Sequence, residues 1–351
     1  MGKLLLSSAA ISRQDGKKFV QQYPSVVFLG QVFIIIIYTG KTLLLMSEEI
    51  EAVGTRCASC GITEIDDIKL MPCDDCDLVK YCCDDCQQEH KSEHKEACKK
   101  RAAELRDELL FKQPESSHLG DCPICMIPLS LDMEKSITYE CCSKVVCMGC
   151  ICSIMRDADA SMCLSCPFCR NSARTKEESE KLRMKRVMAN DPAAIREEGV
   201  KQYNKGNYRS AFEYLAKAAG LGDAIAHYKL SIMYQLEEGA EKDEEKVKYH
   251  LEEAAIAGHP EARFDLGRIE WGNANYERAK NHMIIGATQG HDASIKILMH
   301  TFKGGEVFKI KKKLVSKEDL EAAFRAHKAA VDATKSPGRE LEEKLMSKFT
   351  G

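Results

Sequence analysis

CASCGITEIDDIKLMPCDDCDLVKYCCDDCQQEHKSEHKEAC, residues 57–98, sets eight cysteines and two histidines within 42 residues. It opens a 113-residue span, Cys57 to Cys169, that contains all 18 cysteines of the 351-residue chain, with none before or after. Cysteines confined in this way serve local sites and not a chain-wide disulfide framework. In a secreted chain such density would suggest disulfides, whereas in a reducing compartment it suggests metal. The repeated C-x2-C spacing decides for metal, because two thiolates two residues apart chelate one tetrahedral Zn²⁺ at ~2.3 Å.

Written out, the stretch is C-x2-C, x12, C-x2-C, x5, C-x3-C, x7, H-x3-C. This resembles the MYND zinc finger over its whole length. The family's interleaved order implies one zinc on Cys57, Cys60, Cys82 and Cys86 and a second on Cys73, Cys76, His94 and Cys98, leaving Cys83 and His90 as spectators. The C-x3-C and H-x3-C pairs are expected on one face of a short helix, since i and i+4 side chains stack there. Many members of the family that grip proline-rich peptides carry a tryptophan where this chain has Lys91, which argues against that ligand. The stretch holds 11 acidic and 4 basic residues, and the whole chain has a formal charge of -3. Such a surface repels phosphate backbones and points to protein partners, not nucleic acid.

A second motif follows, with CPIC at Cys122–Cys125, adjacent Cys141 and Cys142, CMGC at Cys147–Cys150 and CPFCR at Cys166–Arg170. It resembles a RING domain with cysteine at every ligand position. The cross-braced order of that family implies one zinc on Cys122, Cys125, Cys147 and Cys150 and another on Cys141, Cys142, Cys166 and Cys169, making four zinc ions per chain. The usual RING histidine would fall at Lys144, and an ammonium has no lone pair for a metal. Neighbouring side chains on a strand point to opposite faces, so Cys141 and Cys142 reach one ion together only from a turn. Otherwise Cys163 or a water completes the site. Cys152 reads as a small buried apolar residue.

RING ubiquitin ligases act by positioning a ubiquitin-conjugating enzyme and its thioester-linked ubiquitin. The resemblance places the docking groove at Ile124, Ile154, Pro167 and Phe168, and a bridging cation at Arg170, where a guanidinium fork reaches two acceptors. The same residues would equally cap zinc sites or carry a solvated charge.

Between the motifs, Lys99–Phe111 has helical spacing of Ala102, Leu105, Leu109 and Leu110, and KQPESSHLG from Lys112 reads as a linker. Lys176–Met188 is a charged connector helix with a solvated face. An internal repeat then aligns on Gly222, Gly258 and Gly290, with steps of 36 and 32 residues. That period signals stacked helix pairs, and the segment resembles the Sel-like subclass of tetratricopeptide repeats over roughly residues 191–302. Asp223, Pro260 and Asp292 open the second helix of each unit. His227, His259, His291 and Trp271 are expected in turns and packing, and Ser316 with Asp319 starts a capping helix.

The N-terminus differs. VVFLGQVFIIIIY, residues 26–38, is shorter than the ~20 residues that cross a bilayer. An anchor, a targeting sequence and an over-extended start stay open; Met46 is the expected start, since MSEEIEAV leads into the first finger. The expected organisation is an N-terminal extension (1–46), a MYND-type finger (57–98), a helix and linker (99–120), a RING-type finger (122–169), a charged linker (170–190), Sel-like repeats (191–302) and capping helices (303–351). The fold class is thus small zinc-stabilised modules followed by an all-α solenoid of helix-turn-helix repeats, placed in the cytoplasm or nucleus. Two functions compete. One is a RING-type ubiquitin ligase whose repeats hold protein partners; the other is a non-enzymatic interaction scaffold. The tandem arrangement resembles uncharacterised algal-type RING proteins with Sel-like repeats.

Overall fold

The computed structural model describes residues 56–64, 68–157, 165–171, 175–303 and 314–342, with the backbone of 26–29 and 32–35. Cys163, Met46 and the rest of the N-terminal extension lie outside the described residues. The chain divides into two compact units, residues 1–105 and 106–351.

In the first unit, the apolar N-terminal run forms an antiparallel pair, β1 (Val26–Leu29) and β2 (Val32–Ile35), with Val26 opposite Ile35 and Leu29 opposite Val32. The β-branched run suits this pleat. No helix among the described residues is long and apolar enough to cross a membrane. The finger itself is built on a two-residue ladder, β3 (Met71–Pro72) against β4 (Lys80–Tyr81), and its core is Cys57, Leu70, Cys73, Cys76, Tyr81 and Cys86. Sulfur takes most of the places that aliphatic side chains fill in a larger core.

Helix α1 (Asp84–Phe111) differs from the expectation of a short ligand-bearing helix followed by a separate one at 99–111. It is a single helix of 28 residues. No Gly or Pro interrupts it, and Asp84 and Asp85 in its first turn suit the positive end of the helix dipole. Cys82 precedes the helix on a bend, so the C-x3-C pair does not share a helical face as expected; His94 and Cys98 do.

The last residues of α1, from Arg106, belong to the second unit. There Leu110 is fully buried with Tyr234, Val247, Leu251 and Leu266. The stretch expected as a plain linker is held too: the His118 N–H donates to Gly258 O (3.2 Å), and the His118 ring stacks on His259 at 4.3 Å. The second finger follows, with β5 (Ser136–Tyr139) antiparallel to β6 (Lys144–Cys147) and then α2 (Met148–Asp157).

The solenoid begins with α3 (Lys176–Met188), started by a Thr175–Glu178 capping box. Six helices of 13 residues succeed it: α4 (Pro192–Asn204), α5 (Tyr208–Gly220), α6 (Ala224–Leu236), α7 (Glu244–Ile256), α8 (Pro260–Gly272) and α9 (Tyr276–Thr288). They pack as the pairs α4–α5, α6–α7 and α8–α9, and α10 (Asp292–Lys303) and α11 (Lys317–Ala333) close the stack. Small residues bring the paired helices together: a Cβ at Gly199 would lie 2.8 Å from Leu215 Cγ.

Each joint between pairs is the same turn. Gly222, Gly258 and Gly290 take φ of +86°, +86° and +85°, and the next residue's N–H reaches back five residues, as from Asp223 to Ala218 O. This is the Schellman ending of a helix. Asn190 (φ 57°) and the Asp191-to-Arg186 bond repeat it at the end of α3, 32 residues before Gly222. The connector is therefore built as the closing helix of a preceding half-repeat. The longer step of 36 has a simple origin. The loop within the second pair is residues 237–243, where the first and third pairs have only 205–207 and 273–275.

Candidate metal centres

Four tetrads of metal-ligating atoms converge among the described residues: Cys57, Cys60, Cys82 and Cys86; Cys73, Cys76, His94 and Cys98; Cys122, Cys125, Cys147 and Cys150; and Cys141, Cys142, Cys166 and Cys169. Within each, every ligand atom is within 4.8 Å of the others. Tetrahedral zinc with sulfurs at ~2.3 Å sets neighbouring sulfurs ~3.8 Å apart. The sulfurs of Cys60 and Cys82 are 3.5 Å apart, those of Cys73 and Cys98 3.7 Å, Cys125 and Cys147 3.8 Å, and Cys142 and Cys166 3.6 Å. These are edges of a coordination tetrahedron, and far from the ~2.05 Å of a disulfide. The donor sets, three of four cysteines and one of three cysteines and a histidine, fit zinc.

Three of the C-x2-C pairs are one construction used three times. The first cysteine's N–H and C=O clamp the turn: Cys57 N to Ile62 O and Gly61 N to Cys57 O; Cys122 N to Ile127 O and Met126 N to Cys122 O; Cys166 N to Asn171 O and Arg170 N to Cys166 O, all 2.8–2.9 Å. The residue after the second cysteine is left-handed in each: Gly61 at 75°, Met126 at 55° and Arg170 at 56°. The close turn leaves amide N–H groups facing the first sulfur. Burial alone would raise the Cys57 thiol, but the backbone amides of Cys60, Cys82 and Ser59 bring it down to about 6. Cys122 behaves likewise at about 6 through Cys125, Cys147 and Ile124. Burial and neighbouring sulfurs push Cys141 and Cys150 up. Four donors so crowded ionise together only around a cation.

Adjacent Cys141 and Cys142 do face one site, by the route that adjacency demands. They lie in the loop joining β5 to β6, where Cys142 N (3.2 Å) and Ser143 N (2.8 Å) both donate to Tyr139 O and Ser143 turns left-handed at 54°. In the histidine-bearing tetrad, burial and then the His90 charge lower the His94 pKa. That keeps the imidazole in its neutral, ligating form. Its Nε2 is 3.1 Å from Cys76 Sγ, and its ring stacks on His90, whose Nδ1 meets the buried Tyr81 hydroxyl at 3.1 Å.

Residues 57–98 match the MYND finger. The chain is similar to a Sel1 repeat protein from Oxalobacter formigenes, at 22% identity and TM-score 0.38 over 46% of this chain and 67% of that one. It is also similar to a protective antigen of uropathogenic Escherichia coli with an SLR fold (19%, TM-score 0.33, 51% and 38%) and to an immunity protein from Pseudomonas aeruginosa (18%, TM-score 0.34, 46% and 64%). No curated protein matches the chain.

Beyond the MYND finger, the residues singled out for docking fall on three elements. Ile124 sits in the first turn of the second finger (39% exposed), Pro167, Phe168 and Arg170 in its last turn, all exposed, and Ile154, half-buried, on α2. Arg170 owes its backbone conformation to the turn, a constraint that its position after Cys169 carries and its residue type hides. Cys83 is exposed, and Cys152 is half-buried where full burial was expected. The α3 face expected to be solvated is instead engaged. Arg183 is 8% exposed and pairs with Glu198 (3.0 Å) and Glu140 (3.3 Å), while Arg186 donates to Ser143 Oγ (3.0 Å) and pairs with Asp191. Two arginines thus grip the loop that carries Cys141 and Cys142. The repeat histidines cap and pack: the His259 ring accepts from Ala262 N, His227 Nε2 lies 3.1 Å from Ala219 O, and His291 Nδ1 lies 2.9 Å from Ser294 Oγ.

Proposed function

We propose that the chain is a four-zinc protein in which the tetrads named above are the ligand sets, the second finger is a RING that positions a ubiquitin-conjugating enzyme, and the Sel-like helix pairs hold the protein to be modified. The observation that carries this reading is the interleaving within residues 122–169. The first and third cysteine pairs converge on one site, the second and fourth on another, and Ile124, Pro167, Phe168 and Arg170 stand exposed on the two outer turns. Closed thiolate sites leave no open coordination position for hydrolytic chemistry. Catalysis would therefore come from placing two partners, with no covalent step on this chain.

Self-ubiquitination with a panel of conjugating enzymes tests it. Ubiquitin chains that disappear with Ile124→Ala and Arg170→Ala, in variants still holding four zinc ions, are the expected result. No product with any enzyme of the panel would defeat the ligase reading.

One observation favours the alternative, a scaffold that only binds proteins. Arg170 occupies the left-handed position that Met126, 72% exposed, and Gly61 hold in the other two turns. Turn geometry by itself accounts for where its backbone lies.

A further inference from the structure

After α11, the chain returns to the second finger. A Cβ at Gly149, in the first turn of α2 and directly before the ligand Cys150, would stand 2.8 Å from the backbone nitrogen of Arg339. Glycine is what lets the two backbones touch. A Cβ at Gly338 would be 3.9 Å from Ser153 Oγ, and Glu342 is buried at 7% exposure. From this seat the Arg339 guanidinium makes a set of contacts aimed at one turn. Nη1 donates to Pro128 O (2.7 Å) and to Thr334 O (2.6 Å), and Nη2 donates to Ile127 O (3.1 Å) and to Cys125 Sγ (3.5 Å).

We propose that Arg339 is a positioning residue for the zinc site of Cys122, Cys125, Cys147 and Cys150, so that the end of the solenoid completes the second finger. Four thiolates around one divalent ion leave a net charge of about −2, which a neighbouring cation and N–H donors offset. Arginine is suited to this and lysine is not. Its planar fork can hold two main-chain carbonyls and a sulfur at once, whereas an ammonium is a point charge on a flexible stem. The carbonyls it takes, Ile127 and Pro128, directly follow the turn that presents Cys125, so the same side chain fixes the ligand's loop and screens its charge. The strap leaves Ile124 and Phe168 exposed, so support of the site and docking of a partner do not compete for those residues.

The inference rests on the zinc reading, so metal content of the full-length wild type comes first. Well under four zinc ions there would refute that reading and this one with it. Given four, a chelator competition on full-length Arg339→Gln should release one ion about ten-fold faster than wild type and leave three unchanged, the size typical of losing a second partner around a metal. Arg339→Lys should recover only a small part. Loading with an NMR-active cadmium isotope supplies a signature that folding alone would not move: one all-thiolate resonance should shift and the other two should not. Release rates equal to wild type, or all four ions equally faster, would overturn the assignment while leaving the zinc reading intact.

Discussion

At the scale of single residues, the left-handed positions and the buried polar groups decide most. Gly61 has nothing within 4 Å of where a Cβ would be, yet sits at φ 75°. Gly61→Val should therefore weaken the first zinc site through backbone strain alone, by about 1–2 kcal/mol, read as a lower thermal midpoint and easier zinc loss. Met126 and Arg170 tolerate the same region because their turns over-determine it. His282 poses the opposite case. It is fully buried, 4.7 Å from the Phe111 ring, and neither ring nitrogen has a hydrogen-bond partner. An unsatisfied buried polar group costs about 1–3 kcal/mol. His282→Leu, similar in size, should thus stabilise the protein near neutral pH; a lower unfolding midpoint would mean the imidazole has a partner in solution.

At the scale of elements, one glycine position shows how packing adds to turn chemistry. Gly222 and Gly258 share φ +86°, but a Cβ at Gly222 meets nothing while one at Gly258 would be 2.8 Å from Ser116 O. Gly222→Ala should cost about 1 kcal/mol. Gly258→Ala adds a clash with main chain that cannot swing away, and should cost at least twice that in chemical denaturation. Equal losses would mean the Ser116 segment leaves the groove. The repeats were legible in the sequence because glycine punctuates them at 32 and 36 residues. Their first member was not, since Asn190 performs the turn without glycine and the charged surface of α3 disguised a packed helix. The continuity of α1 was equally hidden: cysteine spacing gives local pairs, and nothing local announces that a helix runs on beyond them.

At the scale of the whole molecule, the placement of charge and metal sets the response to acid and to chelation. Burial pushes His118 and His250 to about 4, His282 to about 3 and His259 to about 2. With folded values below the unfolded ~6.5, these imidazoles withhold protons that the unfolded chain accepts. Stability is accordingly full above pH 6.5 and falls as pH drops below it, by up to ~1.4 kcal/mol per pH unit for each such histidine. Thermal unfolding between pH 7.5 and 5 should show that slope, and His259→Asn, which keeps a side-chain acceptor at the head of α8, should flatten it. Chelation divides the molecule differently. The solenoid's cores are aliphatic and alanine-rich, as in Val187, Ile195, Leu215 and Leu230, with no ligand among them. Removing metal should therefore leave most of the helical circular dichroism in place while residues 57–98 and 122–169 become sensitive to protease. Loss of the whole helical signal would contradict it.

Ligand types, their short spacings, the acidic character of the first finger and the period of the helix pairs are all legible along the chain, because chelation by neighbouring thiolates and glycine-closed turns act over a few residues. That Cys141 and Cys142 share a site through the turn at Ser143, that Arg183 and Arg186 brace that turn, and that Arg339 arrives beside Cys125 from more than two hundred residues away emerge with folding alone. Contacts of that range depend on how whole helices stack, and no local spacing encodes them.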